Sequence, residues 1–431
     1  MTDVVATNQT ILVVGGGISG MTAAIESAEC GKDVILVEKN PSLGGRVSQL
    51  YRYFPKLCKP SCGQEINQRR IMAHPKVRVL TMTEVEKIEG EAGNYNVSLK
   101  TSPRYVNDNC TACGDCAEAV TAEVDDPHNF NMKKHKAAYL PTNMAAPQRY
   151  VLDPSIIGTD QAEAAKAACK YDAIDLDMKE ETLSINVGAV IWATGFKPYD
   201  ANKIQPYGYD RFENVVTNME FERLMDPFGP TGGKLLRPSD GKEAKKIAFI
   251  QCAGSRDRNH LKHCSRFCCM ASLKQTTYLT EAYGDDSDAS ATIYYIDIRA
   301  IDRFEDFYQK VKDDKKVSFI KSKVANITQD RETKNPILHG VNTEGYHRYD
   351  DEYDLVVLAV GMDPSVQASE IGCGVSANTS GFIDAHAGDD TGIFGAGCAT
   401  DALDVNRAVQ NATAASLKAI QVINKAAGAE A

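Results

Sequence analysis

The hydrophobic pattern of this chain is dominated by short runs that are apolar at every position, each followed by a turn rich in small residues. Ile11 to Val14, Val34 to Val37, the "AVIW" of "VGAVIWATG", Ile247 to Ile250 and the "LVVLAV" of "EYDLVVLAVGMDP" are of this kind. Runs without alternation belong to strands buried on both faces, as in parallel sheets covered by helices. Between the first two runs, Met21, Ala24, Ile25 and Ala28 predict a helix, and Gly31 follows it. The pattern then repeats imperfectly. "KKIAFIQCAGSRD" opens a second unit and "EYDLVVLAVGMDP" ends it, as "VGAVIWATG" ends the first. The expectation is an α/β chain in which one nucleotide-type unit interrupts another. At 431 residues there is room for two or three domains at a prior of roughly 150 residues each.

The first unit carries specific chemistry. Gly15-x-Gly17-x-x-Gly20 joins the first strand to the helix, and Glu38 closes the second strand 18 positions after Gly20. The first glycine permits the sharp turn, the second lets backbone approach a pyrophosphate, and the third allows close packing of helix on strand. The helix N-terminus offers unpaired N–H groups to phosphate, and an acid at the end of the second strand binds a ribose hydroxyl. This predicts a dinucleotide site. The second unit lacks such a glycine motif: "QCAGSRDRNHLKHCSRFCCM" stands where a pyridine-nucleotide phosphate loop would lie, which argues against NAD(P)H as electron donor.

Composition narrows the class. Apolar and charged fractions of 43% and 25% are those of a globular protein. No stretch approaches the ~18 apolar residues of a membrane span, and "MTDVVATNQT" lacks the basic and apolar regions of a signal peptide, so a cytoplasmic location is expected. A net charge of -10 argues against nucleic acid as a partner. Thirteen cysteines in a reducing compartment point to metal or redox chemistry rather than a disulfide framework.

Those cysteines fall into patterns. Cys110-x2-Cys113-x2-Cys116 resembles a bacterial ferredoxin run, although Val120-Thr121 stands where the fourth cysteine and proline would be. In two-cluster ferredoxins that fourth cysteine serves the other cluster, so the missing ligand should come from a distant second half. Cys169 before "KYDAI" resembles the end of such a half, with Lys170 in place of proline. A zinc knuckle or an empty relic is the alternative. Cys252-x11-Cys264-x3-Cys268-Cys269 supplies four more thiolates, the ligand set of a [4Fe-4S] cluster. Here zinc with His260 or His263, a vicinal disulfide and inert thiols compete with the cluster. Cys58-x3-Cys62 lies in the Pro-rich "LYRYFPKLCKPSC", with disulfide chemistry, extra ligation or contact with a partner, and packing all open. Cys30 and Cys373 read as core or surface thiols.

Further motifs carry family resemblances. "EKNPSLGGR", with Gly44, Gly45 and Arg46, Ala193-Thr194-Gly195, and "TGIFGAGCATD" resemble, in order, the motifs of glutathione- and thioredoxin-reductase-like flavoproteins. That resemblance implies FAD and a two-dinucleotide-binding fold with an inserted ferredoxin-like segment. It adds Ile18, Ser19, Lys39, Val85, Gly397, Cys398 and Val405 to the cofactor set of Gly15, Gly17, Gly20, Glu38, Gly44 to Arg46 and Ala193 to Gly195. The division expected is 1–100, 182–241 and 362–431 for the FAD domain, 101–181 for the insert, with "PHNFNMKKHK" as a surface loop, and 242–361 for the second Rossmann-like domain. A helix is expected to start near Asp404 or Val405, with Cys398 beside the flavin and not a cluster ligand.

"QCAGSRD", "HCSRFCCM" with Lys274, "RYFPKLCKPSC" and "GAGCATDALDVNRAVQNATAAS" resemble the flavin subunit of heterodisulfide reductase, HdrA, over nearly the whole chain. The short length is most similar to the QmoA branch, from quinone-interacting membrane-bound oxidoreductases. The resemblance implies an oxidoreductase subunit with FAD and two [4Fe-4S] clusters. It also implies QmoB-like and haem-bearing QmoC-like partners, and electron flow between menaquinone and adenylylsulfate (APS) reductase in sulfate reduction. Membrane association would come only through partners. The rival expectation is a soluble NAD(P)H-dependent disulfide or sulfur reductase using Cys58 and Cys62; a third is an assembly role with a structural flavin.

Overall fold

The computed structural model describes residues 6–301, 303–384 and 388–429. Its first sheet is parallel and five-stranded, in the order Ile393–Gly395, Ala189–Trp192, Thr10–Val14, Asp33–Glu38, Val77–Thr81. The pleat sends Ile11 and Val13 to one face and Leu12 and Val14 to the other. Ile11 and Val13 pack with Met21 and Ala24 of the helix Ile18–Glu29 and with Ala412, Ala415 and Ala419 of the helix Val405–Ala429. Leu12 and Val14 pack with Tyr95, Val97, Leu99 and Ile185 of an antiparallel sheet, Thr83–Glu91, Asn94–Thr101 and Glu181–Val187. Burial on both faces is why the run is apolar throughout.

The second unit repeats this plan. Val215–Thr217, Leu355–Val360, Lys246–Ala253, Ser290–Tyr295 and Val317–Lys321 form a parallel sheet in that order. The helices Cys268–Tyr283 and Phe304–Lys312 cover one face, and the antiparallel strands Asn326–Gln329, Pro336–Asn342 and His347–Glu352 the other. The two crossings between units, Phe196–Pro198 and Met362–Pro364, pair as a ribbon. The second sheet reaches back beyond residue 242: Val215–Thr217 lies within 182–241 but pairs with Leu355–Val360. A three-residue strand, Val-Val-Thr, has no period long enough to assign it to either sheet.

The insert leaves from Asn94–Thr101 and returns into Glu181–Val187, whose ends Thr101 and Glu181 face each other. It has its own small core, including Val106, Val120, Leu152, Ala165 and Ile174. "PHNFNMKKHK" lies at the surface at Pro127, Asn131, Lys134 and Lys136, but one of its residues turns inward. Asn129 is buried and accepts from Arg223 Nε at 2.8 Å, and burial pushes the His128 imidazole down to about 4. A buried arginine needs acceptors wherever they can be found, and this loop supplies one.

The two units are joined through Glu222, which is 1% exposed. Its carboxylate accepts from Lys274 Nζ at 2.7 Å, Gln275 Nε2 at 2.6 Å, Tyr278 Oη at 2.8 Å and the backbone N–H of Tyr51 at 3.0 Å. Lys274 also donates to the Arg52 carbonyl, and burial lowers its pKa against the pull of Glu222. Removing one partner of such a pair leaves an uncompensated buried charge. Lys274→Ala should lower unfolding free energy by about 3–5 kcal/mol in denaturant titration, while Lys242→Ala, at an exposed pair with Asp240, should leave the midpoint unchanged.

Candidate functional site

The glycine motifs converge at the carboxyl end of the central strands of the first sheet. A Cβ on Gly20 would lie 1.7 Å from the Gly15 carbonyl oxygen, so only glycine lets this helix pack on its strand. Gly45, at φ +56°, approaches the loop before the helix so closely that a Cβ there would meet the Gly17 Cα at 2.7 Å. The helix Ile18–Glu29 begins after Gly17 with no side-chain cap and no acid in its first turn, leaving its N-terminal N–H groups for an anion. Glu38 is buried. It accepts from Gly16 N–H at 2.6 Å, and from Asn40 N–H and Nδ2 at 2.8 and 2.7 Å. Burial pushes its pKa up while these bonds pull it down. In this geometry Glu38 braces the glycine turn; Lys39 beside it is exposed.

The remaining motif residues close around the same place. Gly44 accepts from Gln64 Nε2 at 2.7 Å, while Gln64 Oε1 is buried and without a hydrogen-bond partner. Arg46 donates to the Phe196 carbonyl at 3.3 Å, tying the second glycine pair to the chain just after Ala193, Thr194 and Gly195. Gly397 abuts Ser19, whose Oγ a Cβ at Gly397 would meet at 1.9 Å. Val405 opens the long C-terminal helix, whose first turn Asp404 caps by accepting from Arg407 N–H at 3.0 Å. Ile18 is half-buried at the helix start, and Val85 sits at a bulge in Thr83–Glu91, packed against the core of Leu12, Val14, Val97 and Leu99. The open backbone cradle and the orphaned Gln64 oxygen fit an FAD, whose pyrophosphate needs close backbone approach and N–H donors.

Cys398 lies within this region. Its thiol donates to the Leu403 carbonyl at 3.3 Å, and burial pushes its pKa up to about 11.

In the insert, Cys110, Cys113, Cys116 and Cys169 line a single hollow with Tyr150 and Tyr171. The two halves meet through the Val106 and Ile174 bridge and the Asn107 N–H bond to Ala173 O at 2.8 Å. Backbone N–H groups of Ala112 and Ala173 point at the sulfurs of Cys110 and Cys169, each at 3.4 Å. The Cys110–Cys116 turn passes through left-handed backbone at Ala112 (φ +57°) and Gly114 (φ +95°). Burial, then the neighbouring sulfurs, push the Cys116 thiol up to about 11.

The second group sits at the carboxyl end of Lys246–Ala253. Cys252 is in left-handed backbone at φ +57°, and Cys268 and Cys269 form the first turn of Cys268–Tyr283. From Lys246–Ala253 the chain proceeds to Ser290–Tyr295 on one side, while Leu355–Val360 lies on the other, so the group occupies the switch point where doubly wound sheets bind ligands. Burial raises the Cys252, Cys268 and Cys269 thiols, with Cys264 among the groups adding to each. Arg256 Nη1 lies 4.0 Å from Cys252 Sγ and pairs with Asp297; Arg266 N–H points at Cys264 Sγ at 3.3 Å. His260 and His263 are engaged elsewhere, with Tyr199 Oη and Met362 O, both at 2.8 Å.

Among the described residues no three Cys, His, Asp or Glu side chains are gathered round a point as for one metal ion. A four-iron cluster sets each thiolate on a different iron, so its ligands stand farther apart than those of a single zinc.

Arg266 and Phe267 carry information that spacing did not. Arg266 pairs with Asp401 at 3.2 Å, and Phe267 stands 6.3 Å, ring to ring, from Phe196. With Phe54, Leu403 and Arg407 they line a hollow between the second cysteine group and the C-terminal flavin motif. No sequence period links positions 266 and 401.

Cys58 and Cys62 stand apart from both groups. The helix Ser61–Ala73 begins irregularly, with Cys62 and Gly63 outside helical backbone, so the pair sits on a loop and kink. Cys30 is exposed, and Cys373 donates to the Ile88 carbonyl at 3.3 Å.

Comparison with known proteins bears on this architecture. The family model described as FAD dependent oxidoreductase matches residues 10–102. The chain is 38% identical over 420 residues to an HdrA-type iron-sulfur subunit of CoB–CoM heterodisulfide reductase from Methanopyrus kandleri, covering 95% of this chain and 63% of that one. It is also 38% identical to the corresponding iron-sulfur subunit from Methanocaldococcus jannaschii, covering 84% of this chain and 55% of that one. The chain thus spans about half to two thirds of the length of these relatives. In fold it is similar to thioredoxin reductase of T. acidophilum, with a TM-score of 0.52 at 14% identity, covering 98% of this chain and all of that one. Two parallel-sheet units, the glycine cradle at the end of the first and 38% identity over 95% of its own length make this chain an FAD-dependent oxidoreductase similar to the HdrA subunits.

Proposed function

We propose that this chain is the flavin and iron–sulfur electron-transfer subunit of a quinone-linked complex of the QmoA type. In this reading it works with QmoB-like and haem-bearing QmoC-like subunits, between menaquinone and APS reductase in sulfate reduction. The observation that carries the reading is the second cysteine group, at a nucleotide position and tied to the flavin motif through Arg266 and Asp401. Bound FAD would supply the exchange between two-electron and one-electron carriers. Cys252, Cys264, Cys268 and Cys269 would hold one [4Fe-4S] cluster, and Cys110, Cys113, Cys116 and Cys169 another. Burial holds the Cys116, Cys268 and Cys269 thiols protonated until a metal displaces the proton.

The residues around each group have assigned work. Arg256 balances negative charge at the second group and Arg266 holds it against the flavin side, while Arg46 and Gln64 position the second glycine pair. Gly15, Gly17, Gly20, Glu38, Gly44, Gly45, Gly195 and Gly397 would seat the FAD. Relatives named as ferredoxin-linked or F420H2-linked heterodisulfide reductase subunits support a place within a larger assembly. No helix among the described residues is long and apolar enough to cross a membrane, so membrane contact in this reading passes through partners.

Anaerobic assay of the isolated chain should find about eight iron and eight sulfide per FAD; four would mean that one cysteine group is empty, and zinc would overturn that group's assignment. Cys169→Ser should abolish one electron paramagnetic resonance signal and leave the other; an unchanged spectrum removes Cys169 from the ligand set. NAD(P)H should leave the flavin absorbance intact, whereas bleaching would favour the soluble disulfide or sulfur reductase. Reduction by a menaquinol analogue should require the partner subunits.

A further inference from the structure

Eight cysteines line the two groups, but Cys58 and Cys62 face solvent in a loop built to hold them together. Tyr53 binds both. Its N–H donates to the Cys58 carbonyl at 3.0 Å and its hydroxyl donates to the Cys62 carbonyl at 3.0 Å. Between them the chain turns, with Cys62 N–H donating to the Lys59 carbonyl at 2.9 Å. Left-handed backbone at Leu57 (φ +56°) and Gly63 (φ +97°) brackets the turn, and a bulky residue at positive φ is a strain usually kept for function. Cys62 is exposed and Cys58 half-exposed. Desolvation and then contact with Cys62 raise the Cys58 thiol, while Lys56 and Arg52 pull it down.

The surroundings are cationic. Lys56 and Lys59 are both exposed, and neither pairs with a carboxylate among the described residues; Lys59 Nζ stands 5.7 Å over the Tyr51 ring. The neighbouring acid, Glu65, is taken by Arg69, and Glu281 by Arg52. Lys59, Pro60 and Ser61, the residues between the cysteines, form one wall of a cleft of about 330 Å³ beneath the insert; its other charges are largely paired, Lys133 with Asp126 at 4.0 Å and Asp226 with Arg223 at 3.2 Å, which leaves Lys59 as the cation on the cysteine side.

We propose that Cys58 and Cys62 are a redox-active dithiol that exchanges with small disulfides bearing carboxylates. The exposed Cys62 thiolate attacks one sulfur of the disulfide, whose S–S bond breaks. One thiol leaves, taking up the proton that Cys62 gave up, and Cys62 is left in a mixed disulfide. Cys58 then loses its proton and attacks the Cys62 sulfur, closing the Cys58–Cys62 bond and releasing the second thiol with that proton. Two protein thiols are oxidised and one disulfide becomes two thiols, with no other electron carrier consumed. Lys56 and Lys59 select anionic disulfides by attraction. In a reducing compartment a disulfide of this kind is transient. The exchange does not require the other cysteines to carry clusters.

The test uses the full-length FAD-loaded protein under anaerobic conditions, equilibrated with reduced and oxidised glutathione over a range of ratios, quenched with acid, alkylated and mapped by peptide mass spectrometry. The expected result is an internal Cys58–Cys62 disulfide that appears as the ratio becomes oxidising, and a glutathione adduct trapped on Cys62 in Cys58→Ser. At low salt, oxidised glutathione should react faster than cationic cystamine by on the order of tenfold, and Lys56→Gln with Lys59→Gln should erase the difference. Both cysteines remaining free in the parent chain at the most oxidising ratio overturns the proposal, whatever the Cys58→Ser variant does. A disulfide formed equally fast with cystamine overturns the substrate class. Iron and flavin content, read on the same samples, reports on the clusters separately.

Discussion

The architecture depends on one buried carboxylate. Glu222 lies where the second unit meets the loop that follows the FAD glycine pair, and a charge there is tolerable only when every oxygen is engaged. Lys274, Gln275 and Tyr278 come from the helix that begins with Cys268 and Cys269; the Tyr51 N–H and the Arg52 carbonyl on Lys274 come from the loop leading to Cys58. One anion thereby sets the helix carrying the adjacent cysteines against the loop carrying the thiol pair. Sliding either element would strand a charge, which is why this junction has one register and why the cysteine group faces the flavin motif.

On that frame the two units diverge in what they place at equivalent ends of their sheets. In the first, small residues bring backbone within van der Waals distance of backbone and leave N–H groups for phosphate. In the second, the strand Lys246–Ala253 carries Cys252 as its penultimate residue, and sulfur stands near the corresponding position. Gly254 follows it at φ +70° because a Cβ there would meet the Tyr199 ring at 2.5 Å, so the turn is shaped by packing against the inter-unit crossing and has no phosphate cradle. The same topology serves two chemistries because the open end of a doubly wound sheet positions whatever residues its loops carry.

The thiols divide by environment in the same way. Burial holds Cys116, Cys269 and Cys398 near 11, where a bare thiol is inert and only a metal or a buried acceptor gives it work. Cys58 and Cys62 instead lie beside exposed lysines at the surface, where exchange with a second molecule is sterically open.

Much of this was readable in residues close together in the chain. The strand, glycine turn, helix and Glu38 appear as local patterns because sterics and helix geometry act over a few positions, and the spacing of Cys252, Cys264, Cys268 and Cys269 reads as one set because the loop is short. Cys169 was found at long range only through its likeness to a ferredoxin half; the hollow shared with Cys110, Cys113 and Cys116 depends on strands meeting across the insert. The sequence by itself therefore determined the paired nucleotide units and the glycine turn of the first, and it marked out the cysteine sets as candidates. The assignment of Val215–Thr217 to the second sheet, the burial of Asn129 under Arg223, the pairing of Arg266 with Asp401 and the convergence on Glu222 came only with the tertiary structure. They arise from charges and short strands whose partners lie tens to hundreds of residues away, and nothing periodic along the chain records where a buried charge will find its counter-charge.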